Sequence, residues 1–204
     1  DHGLTESGVS AYPSAVTVAM VATLLAGRAS ANAFARAVGA EVKVVDAGVA
    51  ADLAPHPLLI DAKVRKGTRN AALGSAMTAE EVESALARGA AIARRAKDDG
   101  FDILALGEMG IGNTASAALL LHRLGPAPLP DCIGPGAGHD AEGMARKRAV
   151  LETAAARTPV IEPLQVAAEF GGLEILMMAG AILGAASERV PVLIDGFIVG
   201  AAAL

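Results

Sequence analysis

The fold is decided by one stretch: Ile103-Leu104-Ala105-Leu106-Gly107-Glu108-Met109-Gly110-Ile111-Gly112-Asn113-Thr114-Ala115-Ser116-Ala117-Ala118-Leu119-Leu120-Leu121. Ile103 to Leu106 has the length and flanks of a buried parallel strand. Glycines then punctuate a loop, Asn113 or Thr114 offers an N-cap, and an alanine- and leucine-rich helix follows to about Leu124. Unpaired N–H groups and the positive end of the helix dipole would attract phosphate or carboxylate at such a junction. Glu108 is the only ionisable residue of the loop, badly placed to bind an anion and well placed to act as a base beside one. A P-loop would need Gly-Lys-Ser/Thr, and glycines at 107, 110 and 112 do not make G-x-G-x-x-G either. Two readings stay open, an anion site and a tight structural turn that simply needs glycine.

Working outward, strands over 41–46, 102–106, 131–133 and 190–194 alternate with helical segments. That alternation predicts an α/β domain, a parallel sheet with helices on both faces. A helix opens after Pro13 and carries Val16, Met20 and Leu24 toward Val38, interrupted at Gly27. Thr78-Ala79-Glu80-Glu81 is a capping box at the head of a helix that Gly100 ends. Residues 50–77 hold two prolines, two glycines and a basic cluster, and are expected to be largely irregular. Further helices are expected from His139 to about Ala156, after Glu162-Pro163, over Leu173 to Ala186, and from Phe197 onward.

Asp46, Glu108, the glycines of 134–138 and Asp195 all follow strands, so one carboxyl edge gathers the groups suited to a small anionic ligand. Asp46 is either such a group or the cap of a neighbouring loop. Arg146-Lys147-Arg148 lies close enough to the second glycine loop to reach a phosphate, or else forms an exposed charged face. Lys63, Arg65, Lys66 and Arg69 are either solvated or steering charge. Met177 and Met178 read as core fillers.

A formal charge of −5 and no basic face argue against nucleic acid as a partner. With 53% hydrophobic but only 2% aromatic residues, the core must be packed by aliphatic side chains. Cys132 is alone and the four histidines show no metal-binding spacing, so no metal is expected and a cytoplasmic setting follows. The apolar run at 173–186 falls short of a membrane span.

These residues resemble the nicotinate-nucleotide:5,6-dimethylbenzimidazole phosphoribosyltransferase family of cobalamin lower-ligand synthesis. Gly107-Glu108-Met109-Gly110-Ile111-Gly112-Asn113-Thr114 is similar to its hallmark. Asp1-His2-Gly3, Val9 to Pro13, Lys63 to Thr68, Ala145 to Val150 and Pro191 to Ile198 agree in order across the whole chain. The resemblance implies a Rossmann-like large domain spanning 1–204, a homodimer, and a small helical domain largely absent from this chain. It implies a pentosyltransferase that moves phosphoribose from nicotinate mononucleotide to a benzimidazole-type base, with no cofactor. Glu108 then matches the family's second active-site carboxylate. Gly107, Gly110, Gly112, Asn113, Thr114, Gly134, Gly136, Lys147 and Asp195 are implied around phosphate and ribose, and Tyr12 and Met20 at the base pocket.

Two departures accompany the resemblance. Gly134-Pro135-Gly136-Ala137-Gly138 stands where the family usually has Gly-Arg-Gly-Thr-Gly, leaving backbone N–H groups and Lys147 for phosphate. The family's main catalytic glutamate, in a Gly-Glu-Gly stretch, does not occur in this chain, so an internal piece truncated at both ends and with little activity alone is expected. The alternative is a protein that binds the nucleotide or a benzimidazole without turning it over.

Overall fold

The computed structural model describes residues 1–204. After a 3-10 turn at Gly3–Ser7 come α1 (Val16–Leu25), α2 (Ser30–Val38), β1 (Val44–Asp46), β2 (Leu59–Asp61), α3 (Ala79–Asp98), β3 (Leu104–Ala105) and α4 (Asn113–Leu124). The second half adds α5 (Leu129–Cys132), α6 (Ala141–Arg157), α7 (Pro163–Phe170), α8 (Leu173–Ser187), β4 (Val192–Leu193) and α9 (Phe197–Ala202). The architecture is α/β with parallel strands, as the alternation of apolar runs implied. The strands are short, and hydrogen-bond as two parallel pairs, β1 with β2 and β3 with β4.

The capping box forms as read. Thr78 Oγ1 accepts from the Glu81 N–H at 3.2 Å and the Glu81 carboxylate accepts from the Thr78 N–H at 2.8 Å. The α3 that it starts buries Val82, Ala85, Gly89 and Ala93, one face at helical spacing, against α8. α8 is apolar on nearly all sides and correspondingly buried, Met177 and Met178 included. The two helices approach backbone to backbone: a Cβ on Gly89 would lie 1.9 Å from the Met177 carbonyl oxygen, and one on Gly180 2.0 Å from that of Leu86. α4 is the central helix, with Ala115 through Leu120 all buried among α5, α6, α7 and α9.

Several elements differ from expectation. The predicted strand at 131–133 is instead the short helix α5, because Pro128 holds the extended N-cap, Pro130 fits the first turn, and Leu129 and Cys132 then share a buried side. The irregular stretch 50–77 contains β2, which pairs in register with β1, Val44 beside Leu59. The strand predicted over 41–46 is trimmed to Val44–Asp46. The helix from Pro13 to Val38 is two helices, since Gly27 takes φ +71° between them. That break divides the 16–38 run, which by length and composition alone is apolar enough to cross a membrane. Within α1 the buried side chains are Thr17 and Val21, one position round from the Val16-Met20-Leu24 stripe. β3 pairs with β4 alone, and Ile103, just before it, is 52% exposed rather than buried as expected.

Candidate active site

The loop between β3 and α4 is shaped by Gly112, which caps α4 at φ +92°, a conformation open to glycine and strained for other residues. A side chain there would also meet Thr5 Cγ2 at 2.7 Å. With glycine as the cap, Asn113 and Thr114 are released from capping duty, contrary to expectation, and each reaches a functional neighbour. The Asn113 amide donates to the Glu108 carboxylate. The Thr114 hydroxyl accepts from Lys147 Nζ at 2.9 Å.

Lys147 bears most directly on the two readings of this junction. Its side chain crosses from α6 and is fully buried, at 0% exposure. Nζ donates to Thr114 Oγ1 and, at 2.9 Å, to the Gly134 carbonyl, which leaves one of its three donors unused. No carboxylate pairs with it, and burial alone pushes the ammonium below the ordinary lysine range. An unneutralised cation at a helix N-terminus, facing two glycine-rich loops, favours an anion beside it. A Cβ on Gly136 would sit 3.2 Å from Thr114 Oγ1 and 3.5 Å from Lys147 Nζ, so the second glycine loop lies directly over the ammonium. Thr114, Gly134, Gly136 and Lys147 therefore come together at one place, while Gly110 and Gly112 pack against Glu174 and His2, and Gly107 has no neighbour within 4 Å of an added Cβ.

Glu108 is exposed as a residue, and its carboxylate is held to the protein by Asn113. Burial raises its pKa above the usual carboxylate range. The Asn113 hydrogen bond opposes that rise, nearby Glu174 adds to it, and His2 offsets part. A carboxylate raised in this way is a stronger base than a fully solvated glutamate.

Two members of this cluster carried no functional reading from the residues. Glu174, in the first turn of α8, accepts from or shares a proton with His2 Nε2 at 2.6 Å. His2 Nδ1 meets Ser116 Oγ at 2.9 Å. Burial would raise the Glu174 carboxyl, but the charge and hydrogen bond of His2 prevail and hold it down to about 2. A lone acid in the first turn of an otherwise apolar helix was the available signal, since a buried charge needs a partner. Because this carboxyl is lowered on folding, its stabilisation is complete above its ordinary value of 4.5 and is lost as pH falls toward 2. We expect the stability difference between wild type and Glu174→Gln, measured by urea unfolding, to shrink by about 3 kcal/mol across that window.

Asp1 ties the same region together from the other side. Its carboxylate accepts from Thr17 Oγ1 at 2.6 Å and from the Ala50 N–H at 2.8 Å. Thr17 in turn accepts from the Ile111 N–H at 3.3 Å. Asp-His-Gly is thus a hub that joins α1, the loop after β1, α4 and α8.

Other expected members stand further off. Asp195 is exposed and has no hydrogen-bond partner, though it shares the carboxyl edge: Leu193 pairs with Ala105, placing Asp195 and Gly107 two residues beyond their pairing. Tyr12 is 48% exposed and Met20 half-buried, and neither side chain hydrogen-bonds to the Glu108 cluster. The segment holding Tyr12 is nonetheless anchored beside the second glycine loop, where His139 Nε2 bonds the Val9 carbonyl at 2.8 Å. A recess of about 290 Å³ opens there between Ser10, Ala11, Gly138, His139 and Arg146.

Asp46 proves to be a cap, accepting from the Val49 N–H at 2.9 Å and pairing with Lys63 at 2.9 Å. The remaining basic cluster is neutralised locally, Lys66 by Asp52, and Arg65 and Arg69 by Glu81.

A family model described as phosphoribosyltransferase matches residues 1–204, the whole chain. The chain belongs to that family. It is 49% identical over 205 residues to the nicotinate-nucleotide–dimethylbenzimidazole phosphoribosyltransferase of Cupriavidus necator, covering all of this chain and 59% of that protein. The enzyme of the same name from Ralstonia nicotianae is 52% identical over 207 residues, covering 100% and 58%. Among solved structures, CobT from Thermus thermophilus superposes with a TM-score of 0.95 at 47% identity, covering 100% of this chain and 61% of that one. The chain therefore spans about three fifths of the length of these relatives.

Proposed function

We propose that this chain forms the nucleotide-binding part of an enzyme that transfers phosphoribose from nicotinate mononucleotide to 5,6-dimethylbenzimidazole or a similar base, giving α-ribazole 5′-phosphate and nicotinate. One observation carries this reading: the buried, unneutralised Lys147 ammonium at the N-terminus of α4, under the 134–138 loop and beside the Glu108 loop. The 5′-phosphate lies over the 134–138 loop and the N-terminus of α4, accepting from backbone N–H groups, with the enclosed Lys147 ammonium supplying positive charge from beneath. The ribose then extends toward Glu108.

The incoming base nitrogen attacks the anomeric carbon as the bond to the nicotinate ring nitrogen breaks. That nitrogen begins cationic and leaves with the bonding pair, neutral in its ring. The base must also shed its N–H proton, and a carboxylate accepts it. Positive charge that develops on the ribose in between is favoured by a carboxylate nearby. Glu108 supplies such a group here. The main catalytic glutamate that the family resemblance implies lies outside these residues. A homodimer working in the cytoplasm belongs to the same proposal.

The direct test incubates the whole protein with nicotinate mononucleotide and dimethylbenzimidazole and measures both products by chromatography. Appearance of both in equal amounts supports the proposal. Binding of the nucleotide with no release of nicotinate overturns it in favour of a binding protein. We expect Lys147→Met to raise the KM for nicotinate mononucleotide about 10- to 100-fold, through loss of the charge beneath the phosphate. The affinity for the free base, which has no phosphate, should hardly change.

A further inference from the structure

We infer that His2 and Glu174 form a buried clamp that positions the Glu108 loop for the transfer, acting through the loop and Asn113 rather than on substrate. The inference rests on the phosphoribosyl-transfer reading above and adds two positioning residues to it.

The contacts place the clamp under the loop. The His2 ring is fully enclosed and the Glu174 side chain is 16% exposed. His2 reaches across the fold, Nε2 to Glu174 on α8 and Nδ1 to Ser116 on α4. A Cβ on Gly110 would lie 2.9 Å from Glu174 Oε1 and 3.5 Å from Asn113 Nδ2. The Glu174 carboxylate is therefore packed against the loop backbone, one layer from the amide that holds Glu108. A Cβ on Gly112 would lie 3.3 Å from His2 Cβ, so the pair meets the loop backbone at two positions. The loop has no room to shift toward either partner.

Serine, histidine and carboxylate in hydrogen-bonded series also describe a nucleophile triad. That assignment fails here because Ser116 is 2% exposed within α4, and no substrate carbon can reach its hydroxyl. Apolar side chains would fill the same volume without desolvating two charged groups. What the ion pair adds is direction, because a short hydrogen bond between two buried groups fixes both side chains and the backbone they touch.

The test compares Glu174→Gln, His2→Gln and Glu108→Gln in the whole protein, by steady-state kinetics and by hydrogen exchange of the 107–114 amides. Either clamp variant should speed exchange in that loop and lower kcat about 10- to 100-fold, with KM for nicotinate mononucleotide within about threefold. Glu108→Gln should lower kcat without altering exchange. Glu174→Asp, which keeps the charge but retreats by one methylene, should fall between wild type and Glu174→Gln, and it serves if the stronger variants do not fold. Unchanged loop exchange in Glu174→Gln or Glu174→Asp overturns the clamp, as does a change in KM alone. If wild type releases no nicotinate, the transfer reading fails by itself, and with it the clamp's catalytic role. Loop exchange then still decides whether the pair orders the loop.

Discussion

Glu108→Gln in the whole protein should lower kcat for nicotinate release by about 10²- to 10⁴-fold, the range for loss of a proton-transferring side chain. Binding of nicotinate mononucleotide, measured by calorimetry, should stay within about threefold, because the proposed phosphate position lies at the glycine loops and the Lys147 charge, away from the Glu108 carboxylate. Glutamine preserves the shape and can still bond Asn113, so the loss reports on charge and basicity rather than on collapse of the loop. Binding that falls in parallel with kcat would instead make Glu108 a ligand-holding group.

The pH profile adds a sign. Burial chiefly, then the charge of Glu174, raise the Glu108 carboxyl against the opposing Asn113 bond. The active form is the carboxylate, so activity is lost as pH falls through this raised value. The acid limb should therefore lie above the ordinary glutamate range, and it should vanish from the residual activity of Glu108→Gln.

The second large effect concerns stability. Gly180→Ala places a methyl 2.0 Å from the Leu86 carbonyl oxygen, and Gly89→Ala places one 1.9 Å from that of Met177. Both obstacles are backbone, which cannot swing aside as a side chain end could, so α3 and α8 must separate. Overpacking typically costs about 1–3 kcal/mol, and these contacts belong at or beyond the upper end. For a chain of this size, about 3 kcal/mol corresponds to a Tm lower by roughly 6–12 °C in thermal unfolding. Gly74→Ala is the control: nothing lies within 4 Å of the added methyl and its φ is not positive, so its effect should stay within about 0.5 kcal/mol. Equal loss from Gly74→Ala and Gly180→Ala would mean that close approach of the helices is not the cause.

Most of the helices, and the glycine loop that carries the site, were legible in the sequence because they depend on neighbours a few residues apart. Thr78 and Glu81 cap α3 from three residues' distance. Gly27 and Gly39 take the positive φ that ends a helix, and the apolar run from Ala115 onward could only be a buried helix. Family membership was legible for a related reason: several long motifs in one order identify a chain without any knowledge of how they meet.

What needed the tertiary structure was every property created by contact between distant segments. Whether 131–133 is strand or helix turned on which side chains could reach the core. Whether Lys147 is a surface charge or a buried, unpaired ammonium turned on the second glycine loop folding over it. His2 and Glu174 lie 172 positions apart, and neither predicts the other until α8 is laid against the Asp-His-Gly turn. Capping and periodicity act along the chain, so the order of residues determines them; desolvation and charge pairing act through space, and only packing decides them.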